Sequence, residues 1–373
     1  MFPIHSAHID SFRGIRDLEF PLHSRATVIF GASAAGKTAL CDALTVGLGA
    51  IGARMPRTCA RDFRRSDFRI SPDGETAALT SVTIRASNNL AWQVSQKRDR
   101  TVSMPADYLG RRALHAWLDP RITAIQQDFD NRRVILPVVA SYGTDRSVID
   151  LPNRLPDDDF TRLTGLEYSS KSPSRFEGAF QWFLVQEDEE RRARMERQDL
   201  EYRLPELEWF RRALAAAFPA FSNPRTITRP LRLVIDFGGK HGVAPERDLR
   251  ELPPDYLRHF ALIADITRRC VQLNPSDDLG SPIRGTRSAG IVVIDEIERH
   301  LPPACQGAVL GSLSAAFPNL QLVATTRSEE VVGSVAPDQA FEIEHREGEV
   351  RVAPRRIRPP ARSADSHPPA PTP

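Results

Sequence analysis

The sequence predicts an α/β fold, with a mixed central sheet flanked by helices and a β-hairpin layer contributed by the N-terminal residues. Three observations carry that reading. The apolar run 27–30 feeds the segment Gly31-Ala32-Ser33-Ala34-Ala35-Gly36-Lys37-Thr38, which opens a helical pattern. A second apolar run, 291–294, ends in Asp295-Glu296. A third strand-like run, 320–326, ends in a Thr-Thr pair followed by Arg327. Buried strands that alternate with helices and end in polar groups are the pattern of a largely parallel sheet with a site at one edge.

The elements follow in chain order. Residues 4–9 and 18–20 read as strands around the turn Phe12-Arg13-Gly14. After the loop at 31–38, Leu40, Ala43, Leu44 and Leu48 share one helical face. Residues 78–103 alternate through Leu79, Val82, Ile84, Leu90, Trp92 and Val94, as a hairpin does. Residues 135–140 are a short buried run. Residues 151–175 are rich in Pro, Asp and Ser and read as a loop. Residues 176–218 read as helices, with Phe176, Phe180 and Phe183 on one face, then Leu207, Phe210, Leu214 and Phe218. The charged stretch Glu187-Asp188-Glu189-Glu190-Arg191-Arg192 between them reads as a solvated helix surface.

A strand at 231–237 and a helix carrying Leu257, Phe260, Ala261, Ala264 and Val271 follow. A helix through Val309, Leu313, Ala316 and Phe317 separates the two core runs. Residues 341–345 and 350–352 form a closing hairpin around Glu347-Gly348, and the Pro- and Arg-rich segment from Pro354 reads as a disordered tail. The expected organisation is an N-terminal lobe over 1–150, a helical insertion over 151–225, a C-terminal lobe over 226–353 and a tail over 354–373.

The segment 31–38 is a complete G-x-x-x-x-G-K-T phosphate loop. Gly31 and Gly36 let the backbone turn and aim N–H groups at phosphate oxygens, with Ala32, Ser33, Ala34 and Ala35 supplying the intervening amides. Lys37 reaches the outer phosphates of a bound nucleotide and the Thr38 hydroxyl ligates Mg²⁺. Asp295, at the C-terminal end of a buried strand, is the second candidate Mg²⁺ ligand. Glu296 stands one residue further out, where a carboxylate can polarise a water in line with the γ-phosphate. Lys37 and Glu296 are therefore the candidate catalytic residues. Arg13 and Arg327 are candidate basic contacts to the nucleotide, and ATP and Mg²⁺ are the expected cofactors.

Composition bounds the rest. The 373 residues are 41% apolar, enough for a sizeable core, with a net charge of +2. Of 50 basic residues only Lys37, Lys97, Lys171 and Lys240 are lysines. That bias has the character of coding composition, since 48 acidic residues accompany it. A lysine kept inside the loop is what phosphate binding demands. Cys41, Cys59, Cys270 and Cys305 lack metal-site spacing. No stretch of eighteen apolar residues exists and the first residues lack signal-peptide character, so a cytoplasmic chain is expected.

Several of these residues together resemble a family. They are the Phe12-Arg13-Gly14 hairpin, the early phosphate loop, Leu136-Pro137-Val138 leading to Tyr142-Gly143-Thr144-Asp145-Arg146, and Ile294-Asp295-Glu296-Ile297-Glu298-Arg299-His300-Leu301. Phe317-Pro318-Asn319-Leu320-Gln321 and Thr325-Thr326-Arg327-Ser328 complete the set. Over residues 4–345 the chain is similar to AAA-family ATPases with an ABC/SMC/RecF-type head, including compact ATPases of bacterial anti-phage systems of the Septu and retron-associated kinds.

The resemblance implies a P-loop NTPase head, ATP hydrolysis that drives or gates a dimerisation switch, and a role in phage defence or a DNA-related process. Two heads would associate face to face, with ATP held between the loop of one and a Leu-Ser-x-Gly signature of the other. This chain departs from that pattern. Glu251-Leu252-Pro253-Pro254-Asp255-Tyr256 stands at the signature position, Arg327 replaces the switch histidine, and Ser33-Ala34 replaces Asn-Gly. Pro253 offers neither hydroxyl nor N–H, and Asp255 adds negative charge. The implied hydrolysis is accordingly slow, and the alternative is an ATP-bound sensor or scaffold with little turnover. Fewer than fifty residues follow Thr326, which implies that an effector such as a nuclease would be a separate chain. A homodimer or higher oligomer, that effector and DNA are the implied partners, and no membrane is.

Overall fold

A computed structural model describes residues 3–355, apart from 56–57, 59, 130, 145–159, 168–175, 220, 238–244, 300, 302 and 347. Most of the expected loop over 151–175, the segment from Asp145 to Arg146, Cys59, Lys171, Lys240, His300, Glu347 and the tail beyond 355 lie outside the described residues.

The N-terminal hairpin is β1 (Ile4–Phe12) and β2 (Ile15–Pro21). Next come β3 (Ala26–Phe30) and α1 (Lys37–Gly52), then β4 (Leu79–Ala86) and β5 (Ala91–Lys97). Helix α2 (Arg112–Gln127) leads to β6 (Val138–Tyr142). Helices α3 (Glu177–Arg197) and α4 (Pro205–Ala217) precede β7 (Phe221–Thr228), β8 (Leu231–Phe237) and β9 (Glu246–Asp248). Helix α5 (Pro254–Leu273) is followed by β10 (Gly290–Ile294), α6 (Pro303–Gln306), α7 (Val309–Ala316) and β11 (Leu320–Thr326). The last elements are α8 (Glu329–Gly333), β12 (Ala340–Arg346) and β13 (Glu349–Pro354).

Three sheets organise these elements. The central one runs β13-β12-β3-β11-β10-β6. Its five strands from β12 to β6 are parallel, and β13 pairs antiparallel at one edge. An antiparallel sheet, β2-β1-β4-β5, forms the hairpin layer, and β7-β8-β9 is a small third sheet. Helix α1 touches β1, β4 and β5 of the hairpin layer and β6, β10 and β11 of the central sheet. Nearly every α1 residue is buried for that reason, and the helix shows no polar face. The Trp92 indole on β5 donates to the Gly47 carbonyl at 2.8 Å, tying the layer to the helix.

Two expectations are corrected, at residues 187–192 and around Leu257. The expected buried run at 135–140 holds from Leu136 on: Leu136 exchanges both backbone bonds with the Asn274 side chain, at 2.8 and 2.9 Å, and β6 starts at Val138. The stretch 187–192 is not wholly a solvated face. Glu187 and Glu190, three residues apart on α3, turn inward. Glu187 accepts from the Thr226 amide and hydroxyl, and Glu190 from Arg194, Arg211 and the Leu204 amide. The helix expected from Leu257 starts at Pro254, with Pro254 at its first position and Pro253 as its N-cap. β7 runs through residue 225, across the expected boundary between the insertion and the C-terminal lobe. No described helix is long and apolar enough to cross a membrane.

Candidate nucleotide site

The parallel strands β3, β10 and β11 end at one edge of the central sheet, and the loop after β3 lies there. Its shape requires its glycines. Gly36 has φ +106°, and a Cβ on it would lie 2.7 Å from Val350 Cγ2 on β13. A Cβ on Gly31 would lie 2.6 Å from the Ile343 carbonyl oxygen on β12. The closing hairpin thus walls the loop from behind, and backbone rather than side chains fills the turn. The Lys37 ammonium is 2.8 Å from the Gly31 carbonyl and 2.7 Å from that of Ala32. Burial holds its pKa below the usual lysine value, Arg327 adds to the effect, and Glu296 and Asp295 oppose it.

The second half of the site comes from β10 and β11. The Thr38 hydroxyl donates to Asp295 Oδ2 at 2.7 Å, joining residues far apart in the chain. Asp295 is buried, its other oxygen accepts from the Thr325 hydroxyl, and its amide donates to the Tyr142 carbonyl at 2.8 Å. The Glu296 amide donates to Thr325 Oγ1 at 2.8 Å. Glu296 sits at φ +48°, a backbone region that non-glycine residues hold only under constraint. Its carboxylate carries two guanidinium groups, Arg299 at 3.1 Å and Arg327 at 3.5 Å. The Arg327 amide is in turn held by Glu298 at 2.8 Å.

A cavity of about 510 Å³ opens beside Thr38 and Asp295, lined also by Asp42, Arg61, Arg64 and Tyr142. Arg13 stands apart from the loop. Its guanidinium is clamped between Asp67 at 2.7 Å and Asp42 at 2.8 Å, and it reaches the cavity only through Asp42. Arg61 donates to the Asp42 carbonyl at 2.9 Å and pairs with the same two carboxylates.

The donor set fits a hard divalent cation. A hydroxyl and a carboxylate already lie at hydrogen-bond distance, beside a turn that admits no Cβ at Gly31 or Gly36. The structure brings together Gly31 to Thr38, Asp295, Glu296 and Arg327. It sets Arg13 in a neighbouring ion cluster and Pro253 at the exposed start of α5. Sequence reasoning missed Thr325 and Arg299. The Thr-Thr pair at the end of β11 marks the first, and nothing but i, i+3 spacing from Glu296 marks the second.

The AAA domain family matches residues 6–208. The chain is 37% identical over 123 residues to the retron Ec83 probable ATPase of Escherichia coli, an alignment that spans 33% of this chain and 21% of that protein. It is 44% identical over 80 residues to the retron Vc95 probable ATPase of Vibrio cholerae serotype O1 biovar El Tor, spanning 21% of this chain and 15% of the relative. The matched segments thus cover about a fifth or less of either relative. Among solved structures, the SMC head domain from Thermotoga maritima superposes with a TM-score of 0.50 at 13% identity, covering 95% of this chain and 100% of that one. An SMC head bound to the C-terminal winged-helix domain of ScpA gives 0.50 at 14% identity, covering 94% of this chain and 96% of that one. At such identities the likeness concerns the fold, an α/β P-loop NTPase of the ABC/SMC-like class.

Proposed function

The chain belongs to the AAA domain family, and from that premise we propose that it binds Mg·ATP at the loop 31–38 and hydrolyses it slowly. The observation that carries this reading is the 2.7 Å contact between Thr38 and Asp295 at the mouth of the loop. The loop amides and Lys37 hold the polyphosphate. Thr38 and Asp295 would hold Mg²⁺, which when bound neutralises charge on the β- and γ-phosphate oxygens. Glu296 orients a water and takes its proton as the water oxygen attacks the γ-phosphorus and ADP leaves. For that step Glu296 must exchange its pairing with Arg299 and Arg327, and a bound γ-phosphate offers Arg327 the competing anion.

We extend the reading to two heads associating through bound ATP and controlling a separate effector chain, DNA, or both. Both curated relatives are named as retron probable ATPases, and with the resemblance to ATPases of anti-phage systems the proposal extends to phage defence. In this proposal residues 1–150 and 226–353 form the two lobes of the head and 151–225 the insertion. A second reading is an ATP-bound switch with little turnover. The two guanidinium groups on Glu296 favour it, as does Pro253 at the start of α5.

Equilibrium binding and phosphate release test the pair. Lys37→Ala should weaken ATP binding by roughly 10- to 100-fold. Glu296→Gln should leave binding intact and cut phosphate release by at least about 100-fold. Equal release from wild type and Glu296→Gln would leave the switch, and undiminished binding by Lys37→Ala would remove both readings.

A further inference from the structure

Tyr142, the last residue of β6, is paired at two ends. Its carbonyl accepts the Asp295 amide at 2.8 Å, continuing the β6–β10 register by one step past Ile294. Its phenol donates to Asp265 Oδ2 at 2.8 Å. The ring is buried, stacks on Phe176 at 6.1 Å between centroids, and lines the cavity beside Thr38.

Asp265 is buried in the middle of α5 and belongs to a braced network. Arg268 donates to its Oδ1 at 2.9 Å and Arg269 to its Oδ2 at 2.8 Å. Arg269 also reaches the Gly165 and Glu167 carbonyls at 3.1 and 3.0 Å. Arg268 continues to Gln272 at 3.0 Å, whose amide reaches Thr164 Oγ1 at 2.8 Å. Burial alone would raise the Asp265 pKa, but Arg269 and Arg268 outweigh it and hold it down to about 2. The acceptor for the phenol is therefore a fixed carboxylate rather than a rotating or titrating one. A packed core could have placed phenylalanine at position 142. The hydroxyl ties the strand end that holds Asp295 to the helix that begins at Pro254.

We propose that Tyr142 is a positioning residue for the Mg²⁺ ligand Asp295, with Asp265 on α5 as its anchor. The proposal rests on the Mg·ATP reading above. The strand end cannot shift along its axis without breaking the phenol bond or moving α5 with it. The placement of Asp295 beside Thr38 is thereby coupled to the placement of α5.

The test is a Mg²⁺ titration of mant-ATP binding, with melting temperatures recorded in parallel. Tyr142→Phe keeps the ring against Phe176 and removes only the hydroxyl. Asp265→Glu keeps the charge but displaces the acceptor. Each should raise the half-saturating Mg²⁺ concentration by about tenfold, while nucleotide affinity measured in EDTA stays at the wild-type value. Phe176→Leu, which loosens the same packing without touching the bond, should lower the melting temperature and leave the Mg²⁺ dependence unchanged. Amide exchange at Asp295 should quicken in Tyr142→Phe. If whichever of the two variants folds titrates like wild type, the positioning role is overturned and the Mg·ATP reading stands. If wild-type chain binds no mant-ATP, or binds it with no response to Mg²⁺, the underlying reading fails instead.

Discussion

Thr325 carries no charge, yet one hydroxyl serves both acidic residues at the end of β10. It donates to Asp295 and accepts from the Glu296 amide. Thr325→Val keeps the branched shape that a strand favours and removes both bonds. The expected result is a loss of about 1 kcal/mol in stability and a several-fold weaker Mg²⁺ dependence of ATP binding, read by thermal melts and calorimetry. An unchanged Mg²⁺ dependence would mean that Thr325 does not orient Asp295. Gly36 gives a sharper case. At φ +106°, with Val350 behind it, Gly36→Ala should cost roughly 1–3 kcal/mol and distort the loop, so ATP binding and melting temperature should fall together. The loop and the Asp-Glu pair were legible in the sequence because their chemistry follows from residue type and spacing. The Thr325 bonds were not, because the pairing of β11 with β10 decides which hydroxyl meets which carboxylate. The pairing of Glu296 with Arg327 was hidden for the same reason, whereas its pairing with Arg299 had only an i, i+3 spacing to mark it.

Helix α3 shows what an element-level reading misses. Its charge run looks solvated as a string of letters, but three-residue spacing turns Glu187 and Glu190 to the inner face. Glu190 receives a two-pronged guanidinium from Arg211, at 2.8 and 3.0 Å, and the Leu204 amide at 2.8 Å, which staples α3 to the start of α4. Burial by itself would raise its pKa. The Arg211 fork and the Leu204 amide outweigh that and hold it below the usual glutamate value. Because the folded value lies below the unfolded one, the stabilisation is present above about pH 4.5 and is lost as pH falls through the folded value. Glu190→Gln should lower the melting temperature at pH 7, and its gap to wild type should narrow as the solution is acidified toward pH 3. A gap constant with pH would show that the charge contributes nothing. Two other elements escaped detection through their prolines. Pro120 interrupts α2, whose apolar positions Leu114, Leu118, Ile122 and Ile125 are otherwise helical in spacing. Pro224 interrupts β7, which absorbs it at a register shift between Ser222 and Arg225.

At the scale of the molecule, the central sheet interleaves the two ends of the chain. β3 lies between β12 and β11, and β6 lies outside β10, so the two central-sheet strands from the first 150 residues do not pair with each other. The sequence showed the strands but not this order, because parallel neighbours are chosen by crossover packing rather than by proximity along the chain. The consequence is that the N-terminal lobe, which has the hairpin-layer sheet to itself, cannot pair its central-sheet strands β3 and β6 without the C-terminal lobe. Residues 1–225 alone leave β3 without either neighbour and β6 without its only one, exposing the apolar faces of Val28, Ile29, Val138 and Val139. They also leave Thr38 without Asp295 and the loop glycines Gly31 and Gly36 without the wall formed by Ile343 and Val350. The fragment should therefore lack a cooperative thermal transition and bind no ATP, even though it contains the whole phosphate loop. Co-expressed with residues 226–373, it should recover both properties, because the missing strands of the central sheet, β10 to β13, return as a set. Circular dichroism melts and mant-ATP binding on the fragment and on the co-expressed pair decide the matter. A fragment of residues 1–225 that melts cooperatively and binds ATP alone would mean that the hairpin layer and α1 suffice as a folding unit, and that the central sheet only completes the site.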